Sequence, residues 1–146
     1  MTGNNAVLPG TRALVIDDNA FSRRLLRTML CQIGITEIIE ASDGMTGLQA
    51  ARVSTPDLII LDWIMPQMSG AETLHRLARQ TRPSLPCPVL VTSTIACREA
   101  IVSAARFGAA GFIVKPFATP TLRARIERIM AEQVSQRATP SHRRRA

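Results

Sequence analysis

Four short apolar runs lie along the chain, and each of them ends at a polar residue. The runs occupy residues 13–16, 58–61, 89–91 and 112–114, and Val, Ile and Leu dominate them. Near-continuous apolar runs of this length are typical of strands that are buried on both faces of a parallel sheet. A fifth, more polar run at residues 37–41 completes a set of five predicted strands.

Apolar residues at helical spacing predict a helix after each of these strands. The predicted helices cover residues 20–33, 43–53, 71–80, 97–107 and 119–133. Ser42 and Ser69 are the expected N-caps of the second and third helices. Right-handed crossovers in such an alternation favour an α/β, flavodoxin-like, doubly wound (βα)₅ fold, with five parallel strands in the order 2-1-3-4-5.

The polar residues that follow the four apolar runs carry complementary chemistry. In chain order they are Asp17 and Asp18, then Asp62, then Thr92 and Ser93, and finally Lys115. Because ligands bind beyond the carboxyl ends of parallel strands, we expect these side chains to share one edge of the sheet. A single aspartate after a strand is most often a cap, but adjacent acids repel each other, so a shared site explains the pair better. Carboxylates, a hydroxyl and an ammonium at one edge indicate phosphoryl transfer.

These motifs resemble those of the response-regulator receiver domains of bacterial two-component signalling. The matching elements are the acidic pair, the loop Asp62-x-x-Met65-Pro66-x-Met68-x-Gly70, the hydroxyl after the third apolar run, and Phe112 followed by Lys115-Pro116. The resemblance covers residues 11–133, which are expected to form the receiver domain. Residues 1–10 are expected to be a loose leader. Residues 134–146 are polar and basic without periodicity, and we expect a disordered tail there.

The resemblance implies a role for each site residue. Asp62 is the expected phosphoacceptor, a nucleophile that becomes an aspartyl-phosphate, and Ser93 and Lys115 are its expected catalytic partners. Residues 92 and 93 point to opposite sides of an extended chain, and the interval to Lys115 in this family favours Ser93 over Thr92. Ser93 and Phe112 are the expected switch residues. The bond between Lys115 and Pro116 is often cis in the family.

A carboxylate that attacks an anionic phosphoryl group needs a divalent cation to offset the repulsion between the two negative charges. Mg²⁺ is the expected cofactor, since it prefers hard oxygen ligands. The expected metal residues are Asp18 and Asp62 as direct ligands, Asp17 through a water, and, by the resemblance, the backbone carbonyl of Ile64.

The function implied is that of a single-domain response regulator rather than of an enzyme that acts on other substrates. It would take a phosphoryl group on Asp62 from a sensor histidine kinase and signal through phosphorylation-dependent contact with an unknown downstream protein. A phosphorelay shuttle, which exchanges the group with a histidine phosphotransfer protein, is the alternative. A haloacid-dehalogenase-type phosphatase needs a second acid two residues after its nucleophile, and Ile64 occupies that position.

Composition and charge bear on the remaining alternatives. The net charge is +7, but residues 134–146 contribute +4 of it through Arg137, Arg143, Arg144 and Arg145. A nucleic-acid-binding tail is therefore a further alternative, although one Trp and no Tyr give little material for base stacking.

No apolar stretch is long enough to cross a membrane and the start lacks a secretory pattern, so we expect a cytoplasmic protein. The three cysteines are expected to be reduced and mostly buried.

Overall fold

The computed structural model describes residue 8, residues 10–80 and residues 85–138, with side chains through Gln136. Its elements in chain order are β1 (Arg12–Ile16), α1 (Ala20–Ile33), β2 (Glu37–Ala41), α2 (Gly44–Ser54), β3 (Leu58–Asp62), α3 (Gly70–Gln80), β4 (Val89–Ser93), α4 (Arg98–Arg106), β5 (Gly111–Val114) and α5 (Thr119–Ala138). The strands are parallel and lie in the order β2-β1-β3-β4-β5. The predicted flavodoxin-like (βα)₅ fold is confirmed.

The sheet separates two hydrophobic clusters, which explains why its central strands are apolar throughout. Leu14 of β1 and Ile59 of β3 face the cluster beneath α2, α3 and α4. Val15 and Ile60, which are their neighbours along the same strands, face the cluster beneath α1 and α5. Successive side chains of a strand point to opposite faces, so a strand that is covered on both sides has no wet position until it ends.

Strand register brings the ends of β1 and β3 to the same level of the sheet. Ile16 is paired with Leu61, so that Asp17 and Asp62 leave the sheet side by side. The chain crosses from β1 to β2 on one side of β1 and then returns to β3 on the other side of β1. This reversal of strand order is the place at which α/β sheets of this type open a crevice for ligands.

Helix α1 exposes part of its predicted apolar face. Leu26, Leu30 and Ile33 are buried, whereas Phe21 and Leu25 are 71% and 46% exposed. The buried residues follow one row of the helix, which points at the sheet. The exposed pair belongs to the adjacent row, which points past the sheet toward the loop after β5. Helical spacing alone does not separate the two rows.

The second helix and the start of the chain differ from the expectations in small ways. The N-cap of α2 is Asp43 rather than Ser42, and its carboxylate accepts a hydrogen bond from the Thr46 N–H at 2.8 Å.

Leu8 is fully buried in the cluster beneath α1 and α5, and its carbonyl accepts from the Thr11 N–H. The predicted loose leader is therefore wrong at this position. Cys87 is buried, but Cys31 and Cys97 are exposed, so the thiols are not mostly buried.

The last helix is longer than its sequence pattern predicts. It continues to Ala138, so a disordered tail that begins at residue 134 is wrong for the first five of those residues. Leu122, Ile126 and Ile129 on its apolar face are buried. The remainder of the predicted tail, residues 139–146, lies outside the described residues, and the nucleic-acid alternative depends mainly on arginines there. None of the helices described combines the length and apolarity that a membrane crossing needs.

Candidate functional site

The carboxyl edge of the sheet gathers the three predicted carboxylates. Asp17, Asp18 and Asp62 can each contribute an oxygen such that all three oxygens lie within 4.8 Å of one another. Asp17 and Asp62 are 1% and 7% exposed, whereas Asp18 is open to solvent. The cluster thus has a buried side formed by the strand ends and one exposed acid above it.

Lys115 brings the positive charge of the site. Its Nζ lies 3.1 Å from Asp17 Oδ2 and 3.5 Å from Asp62 Oδ1. The backbone holds the lysine in place, since its N–H donates to the Ser93 carbonyl at 2.8 Å. Its bond to Pro116 is cis. One ammonium therefore lies beside two of the three carboxylates of the cluster.

The pKa of Asp62 reflects the balance of charges in this cluster. Burial and the nearby Asp17 carboxylate raise the pKa of Asp62 to about 6, although Lys115 acts in the opposite direction. A charged Asp62 is thus disfavoured by its surroundings, because a single lysine offsets neither its burial nor the negative charge of its neighbours. A divalent cation among these oxygens would supply the positive charge that the site lacks. Carboxylate oxygens are the hard ligands that Mg²⁺ prefers, so the residues present fit that ion.

The loop between β3 and α3 presses the start of α3 against the end of β3. The Gly70 N–H donates to the Trp63 carbonyl at 2.9 Å. A Cβ at position 70 would lie 2.5 Å from the Asp62 carbonyl oxygen and 2.6 Å from Trp63 Cα, which are backbone atoms that cannot rotate away. The glycine of the motif is therefore required by close approach. Met65 is buried in this loop and Ile64 has a half-exposed side chain.

The two adjacent hydroxyls at the end of β4 have different environments. Ser93 is fully buried, and its Oγ accepts a hydrogen bond from the Ile95 N–H at 3.0 Å, which ties it to the first turn of the next loop. Thr92 is also buried, and its Oγ1 has no hydrogen-bond partner among the described residues. Thr92 alternates with Leu90, whose side chain packs beneath α1 and α5, so it lies on the opposite face from Ser93.

Phe112, the predicted switch aromatic, is half-buried on β5. It packs against the cluster that contains Trp63 and Val91. Its backbone carbonyl accepts a hydrogen bond from the Arg125 guanidinium of α5. The ring is therefore neither fully inside nor fully outside the fold.

Two residues support Asp17 that the sequence pattern did not single out. The Asn19 N–H donates to Asp17 Oδ1 at 2.9 Å, and the Arg23 guanidinium donates to the Asp17 carbonyl at 2.8 Å. The first contact has a local signal, because an aspartate often accepts from the N–H two residues later. The second has none, since Arg23 lies on the polar side of α1.

Comparison with known proteins agrees with this geometry. The family model of the response regulator receiver domain matches residues 13–127, and the chain therefore belongs to that family. The chemotaxis protein CheY of Pseudomonas aeruginosa is 36% identical over 118 residues, which are 81% of this chain and 94% of that protein. The chemotaxis protein CheY-3 of Vibrio cholerae is 35% identical over 118 residues, with 81% and 90% covered.

A solved structure leads to the same conclusion. The chemotaxis protein CheY4 of Vibrio cholerae has a TM-score of 0.74 to this chain at 30% identity, and the match covers 82% of this chain and 98% of that one. The chain is thus a receiver domain of the CheY type, and proteins of this class are signalling proteins rather than enzymes with an external substrate. Receiver domains bind Mg²⁺ in an acidic pocket, and Asp17, Asp18 and Asp62 form such a pocket here.

Proposed function

We propose that this receiver accepts a phosphoryl group on Asp62 and signals through a protein contact that depends on that modification. The observation that carries the proposal is the position of Asp62. It ends β3 at the point where strand order reverses, nearly buried, with Lys115 at 3.5 Å and two further carboxylates beside it. Asp17 ends the neighbouring strand but is engaged by Lys115 and Asn19, so Asp62 is the better nucleophile.

The phosphoryl donor would be a phosphohistidine of a sensor kinase or of a histidine phosphotransfer protein. An Asp62 carboxylate oxygen forms the new bond to phosphorus while the bond between phosphorus and the imidazole nitrogen breaks. The electron pair leaves with the imidazole, which takes up a proton. Lys115 then lies where it can pair with a phosphoryl oxygen, which offsets part of the added negative charge.

The metal would be held mainly by Asp18 and Asp62, with Asp17 acting through a water and the Ile64 carbonyl as a further ligand. The contacts of Asp17 support this division, because its two carboxylate oxygens already accept from Asn19 and Lys115. Asp18 is exposed and keeps its oxygens available. When bound, Mg²⁺ supplies positive charge between the nucleophile and the phosphoryl group.

An apolar groove beside Lys115 is suited to the donor protein. Phe21 and Leu25 of α1 face Pro116 and Phe117 across a cavity of about 170 Å³, and Lys115 lies at its rim. Exposed apolar side chains that surround a charged centre are typical of protein contacts. A helix that carries a phosphohistidine could bury these side chains while it presents its phosphoryl group to Asp62. The same geometry serves the phosphorelay alternative, and either role would be carried out in the cytoplasm.

The signal would leave through the face formed by α4, β5 and α5. Ser93 is the expected donor of a hydrogen bond to the phosphoryl group, and a shift of Ser93 would move the loop that its hydroxyl holds at Ile95. Phe112 lies on the adjacent strand and would repack with that loop. Val102 and Val114 are exposed on this face and provide apolar contact area for a downstream protein. The coupling is a shift between two states that the phosphoryl charge biases.

Mass spectrometry of the protein after incubation with acetyl phosphate and Mg²⁺ tests this proposal. We expect one added phosphoryl group, located on Asp62, and its loss in Asp62→Asn. Asp57→Asn is the matched control, because it changes an exposed aspartate at the other end of β3 and should leave the modification in place. Modification of Asp62→Asn at the native level would contradict the assignment.

A further inference from the structure

The cleft between α2 and α3 carries a concentration of cationic side chains that phosphoryl transfer does not use. This α2–α3 cleft has a volume of about 580 Å³. Arg52 of α2 and Arg76 and Arg79 of α3 line it, together with His75. Among the described residues that line it, Glu72 is the single acidic one, and it is paired with Arg76 at 2.9 Å.

The cleft also offers apolar surface and a fixed shape. Leu48 is buried in its floor, and the side chain of Met45 is 53% exposed at its edge. The Gln80 side-chain amide donates to the Leu48 carbonyl at 3.1 Å, which joins the end of α3 to the middle of α2. The His75 ring packs edge-on against Phe107 at 5.7 Å between centroids, so the α3 wall is also tied to the end of α4.

From these observations we propose that the α2–α3 cleft binds an acidic segment of a partner protein, with glutamates or aspartates against the arginines and an apolar residue against Met45 and Leu48. Two occupants from this chain are excluded by charge. The arginine-rich residues 143–145 carry the same sign as the cleft, and a second copy that packed through its own α2–α3 cleft would place the same cationic side chains opposite it. Arginine is well suited to this partner because its planar guanidinium pairs with a carboxylate through two hydrogen bonds.

The form of the cleft favours a protein segment over nucleic acid. A concave channel between two 11-residue helices can receive one extended or helical chain, whereas a duplex presents a convex surface. Single strands bind through aromatic stacking, and the one aromatic ring among the lining residues, that of His75, already packs on Phe107. The cations also lie on both walls and are accompanied by apolar side chains, an arrangement that a small phosphate does not need.

Fluorescence anisotropy with a labelled peptide tests the proposal without phosphorylation or Mg²⁺. The probe is an about 12-residue peptide of repeated Glu-Glu-Leu units, long enough to lie along either helix. We expect the peptide to bind the native protein. In the double variant Arg52→Glu/Arg79→Glu, we expect the affinity for the peptide to fall about tenfold or more. The matched control is Arg24→Glu/Arg98→Glu, which makes the same change in net charge on α1 and α4 and should remain within about threefold of the native protein. Circular dichroism of both variants establishes that they are folded.

The possible results separate the proposal from simple charge attraction and from the proposed function. Equal losses in the two double variants, or no binding by the native protein, would overturn it. Tighter binding of tripolyphosphate or of single-stranded DNA with the same dependence on Arg52 and Arg79 would also overturn it, because the site would then recognise phosphates. Amide shifts in the NMR spectrum at Met45 and Leu48 on peptide addition would support it. Since the assay needs no phosphoryl donor, its outcome does not depend on Asp62.

Discussion

The β3–α3 loop and the β4–α4 loop border the same site but are held in opposite ways. In the first, residues 63–69, Met65 is buried and the Ser69 hydroxyl accepts from the Glu72 N–H at 3.1 Å. In the second, residues 94–97, every side chain is exposed and Cys97 caps α4 without a side-chain hydrogen bond.

The helices that follow the two loops differ in the same sense. Helix α3 buries Gly70, Thr73, Leu74 and Leu77, whereas α4 buries Ala104 alone. Asp62, the proposed nucleophile, is therefore attached to a rigid frame, and the expected switch residue Ser93 begins a loosely held segment. New interactions at the site worth a few kcal/mol or less can move the β4–α4 loop, whereas the β3–α3 loop would keep its position.

The largest effect is expected where the rigid loop is most tightly packed. In Gly70→Ala, the new Cβ would lie 2.5 Å from the Asp62 carbonyl oxygen, so either α3 or the end of β3 must move. We expect a loss of about 3 kcal/mol in unfolding free energy, measured by urea denaturation, and impaired phosphorylation. Thr94→Ala in the exposed loop is the control and should change stability by less than about 0.5 kcal/mol. Similar losses in both variants would remove the contrast between the loops.

The next largest effect concerns the charge of Asp62, which directly precedes the rigid loop. Asp62 has its pKa raised from 3.8 to about 6, so between these values the folded state binds more protons than the unfolded state. The unfolding free energy of the metal-free protein must therefore fall as pH rises from about 4 to 6. Above that range, the amount lost through the ionisation of Asp62 stays constant. Asp62→Asn has no such group, and we expect it to be about 1–3 kcal/mol more stable than the native protein above pH 6 in EDTA.

Thermal or urea unfolding as a function of pH checks this expectation. The advantage of Asp62→Asn should shrink toward pH 4, and excess Mg²⁺ should reduce it at neutral pH by stabilising the native site. An advantage of constant size from pH 4 to 8 would show that the charge of Asp62 is not its origin.

Much of this site is predictable from the sequence because the fold turns strand ends into neighbours. Asp17, Asp62 and Lys115 follow apolar runs, and two-sided burial makes those runs easy to locate. A parallel sheet then delivers their ends to one edge. The prediction needs no knowledge of side-chain contacts, which is why the carboxylates and the lysine are found together as expected.

The features that sequence reasoning missed are those that long-range packing decides. Ser42 and Asp43 are both good N-caps, and only the path of the chain from β2 selects Asp43. Leu8 is a single apolar residue in a polar stretch, so no periodicity marks it as part of the core. The contrast between the two loops is hidden for the same reason, since exposed Ile95 and buried Met65 are both apolar residues in short connections.

The caps of α3 and α4 provide a smaller and reciprocal test of the contrast. Removing the existing cap with Ser69→Ala should cost about 1 kcal/mol, because the Glu72 N–H loses its acceptor. Supplying the missing cap with Cys97→Ser should gain a similar amount, since Cys97 already has the extended backbone of an N-cap residue. Urea denaturation measures both changes. A loss of stability in Cys97→Ser would show that the β4–α4 loop is held by contacts other than those described.

The smallest expected effect comes from strain within the rigid loop itself. Gln67 has a φ of 67°, in the left-handed region that costs most residues about 1 kcal/mol but that asparagine adopts more readily. Gln67→Asn should therefore raise the unfolding free energy by about 0.5 kcal/mol, since it keeps an exposed amide side chain and relieves part of the strain. Gln49→Asn is the control, because position 49 lies within α2, where asparagine is a slightly poorer helix former than glutamine. If both substitutions lower stability equally, then the left-handed conformation of Gln67 is not strained, and the β3–α3 loop is rigid without storing energy in its backbone.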